Sequence, residues 1–209
     1  MYVPEVYSEQ DRARLEALIE GHGFALLVTS DAAGRPTASH LPFLYDANRG
    51  AHGTLLGHMA RANPQWQQFG DGSEALVIFW GPHAYVSPSW YESQPSVPTW
   101  NYATVHAYGR PRLVEDGEAV RAMLHRLVET NEAGFETPWR MDLPEDYEAR
   151  MVGSIVVFEI EIARLEGKFK LSQNRDAADR ATVARQLAAS GRDDAVGVAR
   201  LMREREGDG

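Results

Sequence analysis

Apolar residues recur at two spacings along this chain, one that suits strands through the middle and one that suits helices at the ends and in a single insertion. Leu15, Leu18 and Ile19 form a helical stripe, with Ser8 as the expected N-cap and Asp11 three positions on, so a helix is predicted from about Ser8 to Gly21. The run FALLVTS (24–30) stops at DAAGRP, and TASHLPFLYD (37–46) returns from that turn as the second arm of a hairpin. GTLLGHMA (53–60), EALVIFWG (74–81) and AYVSPSWY (84–91) add strands at short spacing. Two longer strands follow, PTWNYATVHAYGRPRLV (98–114) and SIVVFEIEIARLEGKFKLS (154–172), the second expected to bend near Gly167.

Between the long strands, EDGEAVRAMLHRLVETNE (115–132) carries Val120, Met123, Leu124, Leu127 and Val128 at helical spacing behind Asp116 as N-cap, and LPEDYEARMVG (143–153) reads as a shorter helix. Two more helices are predicted over 176–191, ending at Gly191, and over 193–206. Strands joined by tight turns, with helices confined to an insertion and the ends, predict a mainly β, α+β fold built on an antiparallel barrel. The expected organisation is a barrel domain over 1–175 with a helical insertion at about 115–153, then a C-terminal helical extension over 176–209.

Composition narrows the function classes. With 30 acidic and 21 basic residues the net charge is -9, so no long-range field draws the chain onto DNA or an anionic membrane, and any phosphate must be caught locally. The absence of cysteine excludes disulfides, thiolate metal sites and cysteine nucleophiles. The start MYVPEVYSEQ has no leader pattern, and no stretch approaches the ~20 apolar residues of a membrane span, so a cytoplasmic protein is expected. There is no nucleophile triad, carboxylate pair or P-loop. His40, His58 and His106 fall on strands without any ligand spacing such as HExxH, and no metal site is expected.

Against that acidic background, EGKFKLSQNR (166–175) is unusual. At strand periodicity Lys168, Lys170 and Ser172 share one face and Phe169 and Leu171 the other, which offers two cations and a hydroxyl to an anion. The other reading is that the lysines snorkel along the barrel and pair with Glu159 or Glu161. The strand at 98–114 sets small residues (Thr99, Asn101, Ala103, Val105, Ala107) against an aromatic, polar-tipped face (Trp100, Tyr102, Thr104, His106, Tyr108). That second face suits either a subunit or planar-ligand contact or a core covered by the chain's own helices. In GHMARANPQW (57–66), Asn63 before Pro64 signals the start of a short helix ending at Gly70, whose first-turn N–H groups could meet an anion beside Arg61. Taken alone, Asn63 is a helix cap and Arg61 a solvated charge.

Six blocks, MYVPE, SHLPFL, GTLLGHMARANPQW, FWGPHAYVSPSWY, VPTWNYATVHAYG and LEGKFKLSQNR, stand in the order and spacing of the PaiB-like proteins, known as FMN-binding negative transcriptional regulators. The chain resembles that family over residues 1 to about 190, and through it the split-barrel flavoproteins that include the pyridoxamine 5′-phosphate oxidases. The resemblance implies a split β-barrel and a homodimer with FMN in the grooves between subunits. It implies that Lys168, Lys170 and Ser172 hold the phosphate, joined by Arg61 and the turn at Asn63. Thr99, Trp100, Asn101 and Tyr102 would supply ring-edge hydrogen bonds and an aromatic wall, and Gln173 and Asn174 would read the isoalloxazine carbonyls or the ribityl chain. Some split barrels bind haem, and no histidine here is singled out as an axial ligand.

Two functions fit this resemblance: a flavin-binding regulator, or an FMN-dependent oxidoreductase taking electrons from a reduced nicotinamide or a small substrate. Direct DNA binding is disfavoured by the tail, where Arg175, Arg180, Arg185, Arg192, Arg200, Arg203 and Arg205 interleave with Asp176, Asp179, Asp193, Asp194, Glu204 and Glu206.

Overall fold

The first hairpin shows how local sequence sets the fold. Strand β2 (Phe24–Ser30) pairs antiparallel with β3 (Pro36–Asp46), from Phe24 opposite Pro42 to Ser30 opposite Pro36. The carboxylate of Asp31 accepts the backbone N–H groups of Ala33 and Arg35, and Gly34 takes the left-handed φ of 74° that the reversal needs. Five further strands complete the sheet of this computed structural model, which describes residues 1–207. They are β1 (Ser8–Glu9), β4 (Thr54–Ala60), β5 (Ala75–Val86), β6 (Thr99–Leu113) and β7 (Ile155–Lys170). Their order is β1-β7-β4-β3-β2-β5-β6, and β6 also pairs with β7. That last pairing closes six strands into a ring, the split-barrel architecture expected from the sequence.

Three boundaries differ from expectation. The strands foreseen at 74–81 and 84–91 are one strand, β5, because Gly81 and Pro82 are buried in close packing instead of forming a turn. A Cβ at Gly81 would lie 2.9 Å from the Ala103 carbonyl oxygen. The first helix, α1, spans Arg12–Gly21: Asp11, accepting from Ala13 N at 2.9 Å, outcompetes Ser8 as cap, and Ser8 and Glu9 pair with Lys168 and Gly167 instead. The helix at Asn63 is a 3-10 helix over Pro64–Asp71 that ends at Gly72, whose φ of 75° provides the left-handed stop that Gly70 does not.

The chain divides into two compact units, Met1–His22 with Phe79–His106 and Glu166–Gly209, and Gly23–Ile78 with Ala107–Leu165. In the second unit Phe158 is fully buried, with its ring centroid 6.0 Å from Phe43 and 5.0 Å from Phe69. Helix α2 (Gly117–Glu132) lays Val120 and Met123 on Leu44 and Val157, as its stripe predicts. Helix α3 (Glu145–Gly153) follows. In the first unit α4 (Ala177–Ala189) and α5 (Asp193–Gly207) pack together through residues such as Val183, Leu187, Val198 and Met202. The buried Glu9 carboxylate joins the two ends of this unit, meeting Arg14 at 3.3 Å and Arg205 at 3.1 Å. No helix among the described residues is long and apolar enough to cross a membrane.

Candidate functional site

The lysine row sits where β7 runs out past α1. Gly167 is required there, since a Cβ would fall 2.3 Å from Leu15 Cδ2 and 2.9 Å from Glu9 O. Beyond it Phe169 and Leu171 are buried at 3% exposure each, while Lys168 and Lys170 are half-buried on the opposite face, as predicted. Contrary to expectation, Ser172 does not share the lysine face: β7 ends at Lys170, and past it the chain turns the Ser172 side chain inward onto Asn101. Lys168 Nζ donates to Tyr2 O at 3.1 Å and lies 5.5 and 5.4 Å from the ring centroids of Tyr2 and Tyr102. Lys170 Nζ donates to Thr99 Oγ1 and to Trp100 O, the latter at 2.7 Å, with the Tyr7 ring 5.9 Å away.

Every partner of these two ammonium groups is neutral; among the described residues neither lysine is paired with a carboxylate. Burial, and then the Lys168 charge, push the Lys170 pKa below its ordinary value. The alternative pairing is filled from elsewhere, because Glu159 meets Arg49 at 2.7 Å and Arg112 at 3.4 Å, and Glu161 meets Arg112 at 3.6 Å. Two like charges two residues apart with neutral partners leave local positive charge, and N–H groups that an anion can accept, at this edge of the sheet.

The neighbouring candidates divide by role. Asn101 and Ser172 are buried and hydrogen-bonded to each other, Asn101 Nδ2 to Ser172 Oγ at 2.9 Å and the hydroxyl back to Asn101 Oδ1 at 3.2 Å. Ser172 has φ 65°, a left-handed conformation that costs a non-glycine residue on the order of 1–3 kcal/mol and persists because this pair holds it. Gln173 is folded back on its own backbone, accepting from Leu171 N at 2.6 Å and donating to Phe169 O. Asn174 is exposed.

On β6 the small face is inward as expected, with Asn101, Ala103, Val105 and Ala107 all buried. The aromatic face is uncovered at its start. Trp100 is 50% exposed, and Tyr102 lies parallel to the exposed Trp80, with centroids 6.4 Å apart and planes 2° apart. Further along that face Thr104 is buried and donates to Phe79 O at 2.9 Å, as in the alternative of a covered face.

Arg61 and Asn63 lie in the second unit, where their polar groups are engaged. Arg61 donates to the carbonyls of Gly153 (2.9 Å) and Ile155 (2.8 Å). Asn63 caps Gln65 N at 3.0 Å and donates to Ser39 at 2.9 Å. His58 is pushed down by burial, and no group of three potential metal ligands occurs among the described residues.

Sequence reasoning missed the residues that hold the site in place. Asp179 on α4 is fully buried, accepting from Glu92 N at 2.7 Å and Ser93 Oγ at 2.5 Å. Arg175 stacks 4.1 Å over the Tyr91 ring and donates to Ser96 at 3.2 Å. Together with the Lys170 and Ser172 bonds, these contacts stitch residues 91–101 to residues 170–179. Their only sequence signal is an Arg and an Asp four residues apart at a helix start, which reads equally as a solvated charge pair.

The family model described as "Putative FMN-binding domain" matches residues 1–164. The chain belongs to this family. FMN is its cofactor. The chain is 35% identical over 207 residues to the "Protease synthase and sporulation protein PAI 2" of Bacillus subtilis (strain 168), covering 98% of each. In fold it is similar to an FAD and heme binding protein from Mycobacterium smegmatis (TM-score 0.62, 18% identity, 89% of this chain and 81% of that one). It is likewise similar to the flavocytochrome Anf3 from Azotobacter vinelandii (TM-score 0.63, 16% identity, 86% and 78%). The uncompensated lysine pair fits a phosphate-bearing cofactor, and it lies just beyond the matched residues.

Proposed function

We propose that this chain binds FMN with the phosphate on Lys168 and Lys170, and that it acts as a homodimeric, flavin-responsive negative regulator. The observation that carries the reading is the pair of ammonium groups with only neutral partners. A phosphomonoester carries about -1.5 to -2 charges at neutral pH, and each charge-assisted hydrogen bond contributes on the order of 1.5–3 kcal/mol before solvent screening. Thr99 lends its hydroxyl at the same place, while the buried Asn101–Ser172 pair fixes the backbone that presents both lysines. Trp100 and Tyr102 offer partly exposed ring faces for the isoalloxazine, and Gln173 shapes the turn that precedes Asn174. Arg61 and Asn63 keep their internal hydrogen bonds in this reading.

Bound FMN supplies reversible electron transfer; the chain contributes binding, orientation and electrostatics. Support for a dimer comes from the exposed Trp80, Tyr85 and Trp100, an apolar row that a second copy would cover. Support for regulation comes from the Bacillus subtilis relative, which is named a protease synthase and sporulation protein. The test is to titrate FMN by fluorescence quenching and then add NADH or NADPH anaerobically. Saturable quenching with a flavin that stays oxidised is expected; rapid bleaching would assign the protein as an oxidoreductase instead.

A further inference from the structure

Away from the lysine row, the first unit contains a cavity of about 370 Å³, within the size range of small-molecule sites. Its floor is apolar: Phe169 of β7 and Leu171 just past its end, with Leu18 and Pro82. The gap has a cause in the sequence. Gly197 brings α5 tightly against Pro82, where a Cβ would lie 2.8 Å from the proline ring. One turn further on, Arg200, Leu201 and Glu204 line the cavity together with Ala17 and Gly21 of α1, whose small size leaves space there.

The polar groups at this cavity are few and differ in availability. Arg14 is committed to Glu9 at 3.3 Å and lies 3.9 Å from Asp11. Among the described residues Arg200 forms an ion pair with Glu204, one helical turn away at 3.6 Å, and both side chains are more than half exposed, at 70% and 56%. An i,i+4 pair this long and this exposed contributes little, so a better acceptor can displace it. His22 is pushed down by burial and then by the Arg200 charge, with Asp194 opposing. At neutral pH its uncharged ring therefore offers one donor and one acceptor to a guest.

We infer that this cavity is a second binding site, which takes a small carboxylic acid with an apolar, ring-sized body. The body rests on Phe169, Leu171, Leu18 and Leu201, and the carboxylate accepts the forked N–H groups of Arg200. A monoanion suits the site better than a phosphate, because the Glu204 carboxylate at the rim repels a second negative charge. The site does not depend on FMN.

Isothermal titration of the native protein with 4-phenylbutyrate and with neutral 4-phenylbutanol tests the inference, alongside methyl NMR shifts. Saturable binding is expected, with the acid about tenfold tighter than the alcohol, in line with one partly screened charge-assisted contact. Shifts should centre on Leu18, Leu171 and Leu201. Arg200→Gln should erase the preference for the acid while leaving alcohol binding intact. Ala17→Trp, placed at an exposed helical position, should abolish binding of both by filling the cavity. No saturable binding of the acid, equal affinity for acid and alcohol, or acid binding that survives Ala17→Trp would each overturn the inference.

Discussion

Lys170 has the clearest titration consequence of any single residue. Its pKa is lowered by burial and by Lys168, so a bound phosphate, by neutralising both, raises it again. With the phosphate on these lysines, as proposed, FMN binding should take up protons in the alkaline range, and affinity should fall as pH rises through the lowered pKa toward the ordinary lysine value of about 10.4. Calorimetry in buffers of different ionisation enthalpy should record that uptake, and Lys170→Met should remove it; affinity that stays flat across the range would contradict the assignment. Phe158 makes a plainer case. It is fully buried between Phe43 and Phe69, so Phe158→Ala should cost about 3–5 kcal/mol in denaturant unfolding. The half-buried side of Lys170 was legible from strand alternation, and the strand that carries Phe158 from its apolar run, though not the aromatic cluster around that ring. Ser172 was only half legible, because neither its left-handed backbone nor its buried bond to Asn101 leaves a trace in spacing.

Among the elements, α4 works as a clasp. The Ser93 hydroxyl, together with the backbone N–H groups of Glu92 and Ser93, holds the Asp179 carboxyl below its ordinary pKa against the opposing effect of burial. A depressed carboxylate contributes stability that is complete above its unfolded value of about 3.9 and is lost as pH falls through the folded value. Asp179→Asn should accordingly lower Tm near neutrality and converge with the native protein in acid, a comparison that a pH series of melting curves makes directly. Gly109 sets the spacing of β6 and β7, since a Cβ there would fall 2.3 Å from Glu161 O. Gly109→Ala should cost about 1–3 kcal/mol by overpacking, read from denaturant midpoints. Helix positions followed from periodicity, yet the cap at Asp11, the unbroken β5 and the clasp itself did not. Each is decided by a partner distant in sequence: β7 for Ser8, Ala103 for Gly81, and Ser93 for Asp179.

At the scale of the whole molecule, charge sets what the protein avoids and what it attracts. Among the described residues, three of the seven tail arginines form ion pairs within the fold: Arg180 meets Glu206 at 3.0 Å, Arg200 meets Glu204 at 3.6 Å and Arg205 meets Glu9 at 3.1 Å. With a net charge of -9, binding to duplex DNA of arbitrary sequence at physiological salt should be negligible, and a submicromolar gel shift would refute this. Within that negative field the Lys168–Lys170 pair is a local exception, and the account rests on its holding a phosphate. The direct measurement is the affinity for FMN against riboflavin, which differs by that phosphate alone, in the native protein and in the Lys168→Ala/Lys170→Ala variant. The native protein should prefer FMN by about 100-fold, on the order of two charge-assisted bonds after screening, and the variant should show no preference. Equal affinity of the native protein for both flavins, or a preference that survives loss of both lysines, would contradict it.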